Sequence, residues 1–334
     1  MKEIDLIVDN KKKYDILSML DTSFSIHEQS RIIDLSVKNG LEDHTRAFVK
    51  IQDGCESFCS YCIIPYVRGP IQSKTQDVVL SEITHLLERG IKEVVLVGIH
   101  VGKYGKERKP EGELYELLQK IEQLPQQFRC RLSSIEINEL DNELLKFLSK
   151  SHIMPPHFHI PLQSGDDTTL KRMNRHYNTH DFLEKCEYIR SLWQYPAFTT
   201  DVIVGFPGET EEQFQNTLNT CTQAKFAKIH IFPYSDRTGT PASRMVDKVS
   251  DEIKRDRVHR LTELSQKLTA QYLQGFIGKT VHVLVETKED NGMLSGLSDE
   301  YQRVFFPGDI SLKNTFVTVY VNKQENDILY GTIR

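Results

Sequence analysis

The sequence predicts an α/β protein, with a partial (β/α)6 barrel followed by a small all-β barrel. Between residues 46 and 234, short apolar runs alternate with helical segments, which is the pattern of βα units around a parallel sheet. After Gly278 the pattern changes to short strands separated by turn signals such as Pro307-Gly308-Asp309. The length of 334 residues accommodates two such domains.

Six strands are predicted in the first region, each followed by a helical or loop segment. They are RAFVKI from Arg46, EVVLVGI from Glu93, RLSSIEI from Arg131, HFHIPLQ from His157, FTTDVIVGF from Phe198 and AKIHIF from Ala227. After the fifth strand, Thr210 and Gln213 have the spacing of a capping box, which predicts a helix start there.

The side chains predicted to point into the barrel are unusually polar. Residues alternate between the two faces of a strand, so the apolar members of each strand face the helices and the others face the lumen. The residues that this alternation places inward are Ser134, Glu136, His157, His159, Gln163, His230, Phe232 and Tyr234. Barrels filled only for stability carry branched apolar residues there, so we expect a ligand cavity toward the C-terminal ends of the strands.

The second region predicts about five short strands, as in a small barrel. They are KTVHVLVET, MLSGLS, YQRVFF, NTFVTVYV and ILYGTI, all after Gly278.

Composition narrows the class of protein. Hydrophobic residues make up 39% and charged residues 27%, as in globular proteins, and no apolar run is long enough to cross a bilayer. The N-terminus lacks the features of a signal peptide, so we expect a cytoplasmic protein without membrane contact. A net charge of -5 gives no global signal for nucleic acid, so any RNA site must be a local basic surface.

Three of the six cysteines, Cys55, Cys59 and Cys62, lie on one loop after the first strand, with Gly54 allowing the turn. A four-iron cubane normally takes four ligands, so three thiolates leave one iron open to another molecule. The alternatives are a structural Cys3His zinc site or three unrelated cysteines. Zinc sites usually combine two separated ligand pairs, and no second pair is present, so the spacing favours a cluster.

The stretch from Lys50 to Gly69, KIQDGCESFCSYCIIPYVRG, resembles the signature of the radical S-adenosylmethionine (SAM) methylthiotransferase family. Enzymes of this family add methylthio groups to tRNA adenosine or to a ribosomal protein. GIHVGKYG from Gly98 and SSIEINEL from Ser133 resemble the branch acting on N6-threonylcarbamoyladenosine at tRNA position 37. The segment from Gly278 resembles a TRAM domain, an RNA-binding barrel.

The resemblance implies a set of cofactors and contacts. Cys55, Cys59 and Cys62 would hold one [4Fe-4S] cluster, with SAM as the remaining ligand. The residues implied for SAM are Tyr61 at the adenine, the strand leading into Gly98 at the methionine part, Ser134 and Glu136 near the ribose, and Gln163 and Ser164 lining the same cavity. Structural alternatives are that Gly98 only makes a turn and that Glu136 only pairs with a cation.

The implied partners are tRNA and an electron donor such as flavodoxin or ferredoxin. Lys171, Arg172 and Arg175 lie next to His176 and Tyr177, a basic and aromatic stretch suited to phosphate and base contacts. The alternative is a solvated helix end.

One departure from the family concerns the N-terminal region. Family members normally begin with a domain carrying three further cysteines, which hold a second cluster associated with the transferred sulfur. Residues 1–54 contain no cysteine. We therefore expect residues 1–43 to be a remnant of that domain, 44–277 to be the radical SAM core with its following helix, and 278–334 to be the TRAM-like barrel.

This departure leaves three interpretations open, namely a truncation, a domain supplied by another polypeptide, or different SAM chemistry. The first functional hypothesis is methylthiolation at C2 of N6-threonylcarbamoyladenosine at tRNA position 37. The alternatives are a catalytically incomplete RNA-binding protein and another radical SAM reaction. For the chain alone we expect SAM cleavage with little methylthio product.

Overall fold

A computed structural model describes residues 44–289 and 292–334. The predicted remnant at residues 1–43 lies outside the described residues. Within the described ranges, no helix is both long and apolar enough to span a bilayer.

The first domain is the predicted α/β barrel wall. Its strands are β1 (Arg46–Lys50), β4 (Glu93–Val97), β5 (Arg129–Leu132), β6 (His157–His159), β7 (Ala197–Val204) and β8 (Lys228–Pro233). They form two three-stranded parallel sheets, in the orders β1-β4-β5 and β6-β7-β8. The backbone N–H of Ile135 donates to the carbonyl of His159 at 3.0 Å, which joins the two sheets beyond the end of β5. All six predicted strands are present, but two have different bounds: β5 spans Arg129–Leu132 instead of running from Arg131 to Ile137, and β6 ends at His159, so Ser134, Glu136 and Gln163 follow these strands rather than lying in them.

Helices cover the outside of these strands. They are α1 (Ile64–Arg68), α2 (Gln76–Glu88), α3 (Leu114–Glu122), α4 (Asn142–Leu148), α5 (Asp167–Arg172), α6 (Thr179–Leu192), α7 (Glu211–Ala224) and α8 (Asp251–Gln274). The predicted capping box starts α7, since the Thr210 hydroxyl accepts from the Gln213 N–H while the Gln213 side chain accepts from the Thr210 N–H. Outward-facing Phe158, Ile160 and Leu162 are buried in the core between sheet and helices.

A short hairpin carries the cysteine loop at the C-terminal end of β1. Its strands, β2 (Gln52–Asp53) and β3 (Gln72–Ser73), pair antiparallel. Gly54 opens the loop with φ at +77°, and a Cβ there would lie 1.9 Å from the Pro70 carbonyl oxygen. Only glycine fits this close approach in this conformation.

The second domain is the predicted small barrel. Its strands are β9 (Thr280–Lys288), β10 (Leu294–Ser298), β11 (Arg303–Phe306), β12 (Phe316–Glu325) and β13 (Ile328–Ile333). They close in the order β10-β11-β13-β12-β9, so no strand edge is left unpaired. Its core is a separate apolar cluster that includes Val283, Val304, Phe306 and Val319.

The small barrel covers the N-terminal ends of the α/β strands. Glu93, fully buried at the start of β4, lies against the guanidinium groups of Arg46, Arg129 and Arg131. Arg129 donates to the carbonyl of Ser298 at 2.7 Å, and Arg131 donates to the carbonyls of Ser298 and Asp299 at 2.8 Å. The opposite, C-terminal ends of the strands carry the cysteine loop.

Candidate functional site

The cysteine loop is fixed by backbone hydrogen bonds together with side-chain contacts of Ser57 and Ser60. The N–H of Cys55 donates to the carbonyl of Gly69 at 3.1 Å, and that of Cys62 donates to the carbonyl of Cys59 at 2.9 Å. Ser60 binds the turn after α5, because its N–H donates to the Met173 carbonyl at 2.9 Å. The three thiols are therefore held on a loop of defined shape.

The environment of Cys55 favours the thiolate, which is the form that binds metal. Its sulfur lies 3.6 Å from Nδ1 of His100 and accepts from the N–H of Ser57. Burial raises the pKa of Cys55, but the hydrogen bonds to His100 and Ser57 outweigh this and lower the pKa to about 7. Burial lowers the pKa of His100, yet its contacts with Cys55 and Glu139 raise that pKa to about 9. Burial raises the pKa of the Cys62 thiol.

Arg175 links the cysteine loop to one of the predicted SAM contacts. Its Nη1 donates to the sulfur of Cys59 at 3.4 Å, and its Nη2 donates to the carboxylate of Glu136. Its guanidinium also lies over the ring of Tyr177. The Arg175 side chain faces the cysteine loop and is only 5% exposed, so it is not available to bind a phosphate of RNA. Its predicted role as an RNA phosphate contact is therefore wrong.

The other two basic side chains of that stretch, Lys171 and Arg172, have surroundings different from those of Arg175. Arg172 donates to the carboxylate of Asp247 at 2.6 Å and is partly exposed. Lys171 is exposed on α5. RNA binding by these two side chains stays a prediction.

Among the predicted SAM contacts, Tyr61 and Glu136 lie at the cysteine loop, whereas Gly98 packs against Gln52. Tyr61 packs against the apolar cluster around Phe206. A Cβ on Gly98 would lie 2.8 Å from Oε1 of Gln52, so a larger residue would displace that side chain.

Three of the predicted SAM contacts follow the ends of strands, but their side chains lie in different environments. They are Ser134, Gln163 and Ser164. Ser134 is exposed on the wall of the lumen cavity. Gln163 has φ at +61°, and its carbonyl accepts from the Ile203 N–H, which joins it to β7. The Ser164 hydroxyl is fully buried, 3.4 Å from that of Thr217 on α7, so it is oriented toward the helix layer.

A lumen cavity of about 580 Å³ runs between the two barrels. Ser134, His157, His159 and His230 lie on its wall, as strand alternation predicts, and Tyr301 of the small barrel borders its far end. The Tyr234 ring is buried against Phe206, in the apolar cluster that Tyr61 and Ile203 also contact.

The donor set of the loop is three thiols, the ligand type that iron–sulfur clusters take. In the described ranges, no three His, Cys, Asp or Glu side chains are grouped closely enough to hold a single ion. The other cysteines, Cys130, Cys186 and Cys221, are fully buried in the apolar core. Burial raises the pKa of both Cys186 and Cys221 to about 12, which makes them poor ligands.

Several residues that position the loop were not predicted as site residues. Gln52 is buried, accepts from the His100 N–H at 2.8 Å and donates to the Gly54 carbonyl at 2.8 Å. Asn174, with φ at +59°, donates to the Phe58 carbonyl at 3.0 Å. Their only sequence signal is their position beside the cysteine loop and the basic stretch.

Comparisons with known proteins agree with this architecture. Residues 49–221 match the model of the Radical SAM superfamily, and residues 274–333 match that of the TRAM domain. Among solved structures, the radical SAM methyltransferase TsrM from Kitasatospora setae superposes with a TM-score of 0.50 at 15% identity, covering 59% of this chain and 38% of that one. Coproporphyrinogen III oxidase from Escherichia coli also gives 0.50, at 14% identity, covering 85% and 68%.

Curated relatives of higher identity define the family more narrowly. The threonylcarbamoyladenosine tRNA methylthiotransferase MtaB of Bacillus subtilis (strain 168) is 38% identical, and the alignment covers 96% of this chain and 74% of the relative. The tRNA-2-methylthio-N(6)-dimethylallyladenosine synthase of Protochlamydia amoebophila (strain UWE25) is 32% identical, covering 100% and 76%. With its radical SAM core, its TRAM domain and these relatives, the chain belongs to the radical SAM tRNA methylthiotransferase family, a family of transferases.

Proposed function

We propose that this protein adds a methylthio group to C2 of N6-threonylcarbamoyladenosine at tRNA position 37. The observation that carries the proposal is the three-thiol loop that follows β1, in a chain 38% identical to a methylthiotransferase named for that nucleoside. The substrate of the second relative, a dimethylallyladenosine, differs only in the group on N6, and it is the competing assignment.

In this proposal Cys55, Cys59 and Cys62 hold one [4Fe-4S] cluster through their thiolates. When bound, the cluster supplies the electron that cleaves SAM to methionine and a 5'-deoxyadenosyl radical. The protein positions SAM and keeps bulk water away from the reaction. The neighbouring His100 favours the thiolate of Cys55, and the Arg175 guanidinium donates to the thiolate of Cys59.

The SAM pocket is proposed to use Tyr61, Gly98, Ser134, Glu136 and Gln163. The Tyr61 ring lies against an apolar cluster, which suits contact with an adenine, and Glu136 can accept hydrogen bonds from ribose hydroxyls. Gly98 lets its backbone approach Gln52, whose side chain binds the backbone of Gly54 and His100. Ser164 is proposed to shape the same turn, since its N–H donates to the Leu162 carbonyl at 2.7 Å while its hydroxyl faces α7.

The test is anaerobic turnover of the reconstituted chain with SAM, a low-potential donor such as reduced flavodoxin, and tRNA of either type. Mass spectrometry of the digested tRNA identifies the modified nucleoside, and chromatography measures 5'-deoxyadenosine. A 2-methylthio group on the threonylcarbamoyl nucleoside supports the proposal, whereas the same group only on the dimethylallyl nucleoside contradicts the substrate. Release of 5'-deoxyadenosine without either product is the outcome expected of the chain alone, and it would mean that the transferred sulfur must come from a separate source. Absence of 5'-deoxyadenosine favours the inactive RNA-binding alternative.

Replacing Arg175 by Met should weaken SAM binding by about 10- to 100-fold, the range typical of residues that orient metal ligands. The change removes the donor to Cys59 and leaves the Glu136 carboxylate without its cation. Titrating SAM into the reconstituted protein, followed by electron paramagnetic resonance of the reduced cluster, measures the affinity.

The matched control is Arg172→Met, which removes a guanidinium from the same turn but breaks only the ion pair with Asp247. Iron content is measured in both variants, because a lost cluster would itself abolish SAM binding. Equal SAM affinity in the two variants, with equal iron, would show that Arg175 has no positioning role.

A further inference from the structure

The lumen cavity contains a cationic side chain that forms no ion pair within the part of the chain that the structure describes. Lys228 lies on the inward face of β8, two residues before His230, and both side chains border the cavity. Among the described residues, Lys228 forms no ion pair with a carboxylate. The other cationic side chains on the cavity wall have carboxylate partners. Arg46 and Arg131 pair with Glu93, and Arg303 donates to Glu286.

Hydrogen-bonding groups surround Lys228 on the neighbouring strands. Lys228 is paired in register with Thr199, whose hydroxyl lies 2.9 Å from Nδ1 of His159. Nε2 of His159 lies 3.2 Å from the carboxylate of Asp201, and the rings of His159 and His230 are 5.6 Å apart. This part of the wall therefore offers a cation, two imidazoles, a hydroxyl and a carboxylate.

The same cavity reaches the proposed SAM pocket. Ser134 is on its wall, and the hydrogen bond from Ile135 to the carbonyl of His159 places Ser134 at the level of His159. A nucleoside whose base lies next to SAM can thus extend the group on N6 toward Lys228 without leaving the cavity. The volume of about 580 Å³ is within the range of ligand sites.

We propose that Lys228, together with His159 and His230, forms a subsite for the carboxylate of the N6 substituent, and that this subsite selects the nucleoside. The inference rests on the proposed function and deepens it by assigning the selectivity to named residues. A threonylcarbamoyl group carries a carboxylate for Lys228 and a hydroxyl and N–H groups for Asp201 and Thr199. A dimethylallyl group carries none of these, so it would leave the wall of the cavity unpaired.

The test compares binding of anticodon stem-loop RNAs that differ only in the N6 substituent, at one fixed salt concentration because phosphate contacts depend on salt. The reconstituted chain should bind the threonylcarbamoyl RNA more tightly than the dimethylallyl RNA in competition fluorescence anisotropy. Lys228→Met should weaken binding of the threonylcarbamoyl RNA by about 10- to 100-fold, as expected for loss of a charge-assisted hydrogen bond, and leave the dimethylallyl RNA unchanged. Lys228→Arg should retain most of the preference.

The control is Lys120→Met on the outer surface of α3, which removes the same charge from an exposed side chain. It should leave the ratio of the two affinities unchanged. Equal weakening of both RNAs by Lys228→Met would make Lys228 a phosphate contact and overturn the subsite, as would an unchanged preference. Either result leaves the proposed function intact, because that function is judged separately by the nucleoside product.

Discussion

Replacing Cys55, Cys59 or Cys62 by Ala should remove the cluster and reduce release of 5'-deoxyadenosine to background. Each thiol is one of three protein ligands on the loop, and a cubane with two remaining ligands would no longer be held at a single open iron. The wild-type chain should bind about four irons and show the broad visible absorption of Cys-ligated clusters after anaerobic reconstitution. Iron analysis measures the bound iron, the visible spectrum measures the cluster, and the 5'-deoxyadenosine assay measures SAM cleavage.

The control is Cys186→Ala on α6, since Cys186 is fully buried and packs in the apolar core away from the loop. It should retain iron and activity at a modest cost in stability. A tetrahedral zinc ion without a visible band in the wild-type protein would contradict the cluster, as would a full iron content in any of the three loop variants.

Replacing Glu93 by Ala should lower the free energy of unfolding by about 3 to 5 kcal/mol, the range for removing one member of a buried ion pair. Glu93 is fully buried and is the carboxylate shared by Arg46, Arg129 and Arg131. Burial and the neighbouring Arg131 already lower the pKa of Arg129 to about 10, and loss of Glu93 leaves Asp299 as the remaining carboxylate that opposes them. Urea unfolding followed by circular dichroism measures the change.

The pH dependence of the free energy of unfolding provides a second test of this prediction. Burial alone would raise the pKa of Glu93, but Arg131, Arg129 and Arg46 outweigh it and hold that pKa below its usual value. A lowered pKa in the folded state means that the stabilisation is fully present above the unfolded pKa of about 4.3 and is lost as the pH falls through the folded value. The difference between wild type and Glu93→Ala should therefore be large at pH 7 and shrink in acid.

The matched control is Glu325→Ala, which breaks the exposed pair with Lys323 and should change stability by no more than about 0.5 kcal/mol. If Glu93→Ala behaved like this control at pH 7, the buried network would not stabilise the contact between the two barrels.

The sequence predicts the fold well because each signal is local. Strand alternation puts the apolar Phe158, Ile160 and Leu162 in the core, and the Thr210–Gln213 spacing starts α7 as expected. The cysteine spacing likewise identifies the loop without any structure.

Contacts between distant segments could not be predicted in the same way. Arg175 is close in sequence to exposed basic residues, yet the turn at Asn174 directs it to Cys59, 116 residues earlier in the chain. Gln52 and His100 meet only because β2 and the segment after β4 adjoin in space.

The contact between the two barrels has a consequence for how the chain tolerates substitution. Arg129 and Arg131 donate to main-chain carbonyls of residues 297–299, and every amino acid supplies such an oxygen. The Asp299 carboxylate adds one ion pair with Arg129 at 3.4 Å, but the carbonyl contacts themselves do not depend on which side chains residues 297–299 carry, provided that the backbone keeps its path. Arg129 and Arg131 cannot be exchanged in this way, because the contact uses their guanidinium donors. Substitution is therefore tolerated on the small-barrel side of the contact and not on the α/β side. A chimera that keeps the α/β domain and receives the small barrel of a relative should dock it in the same orientation.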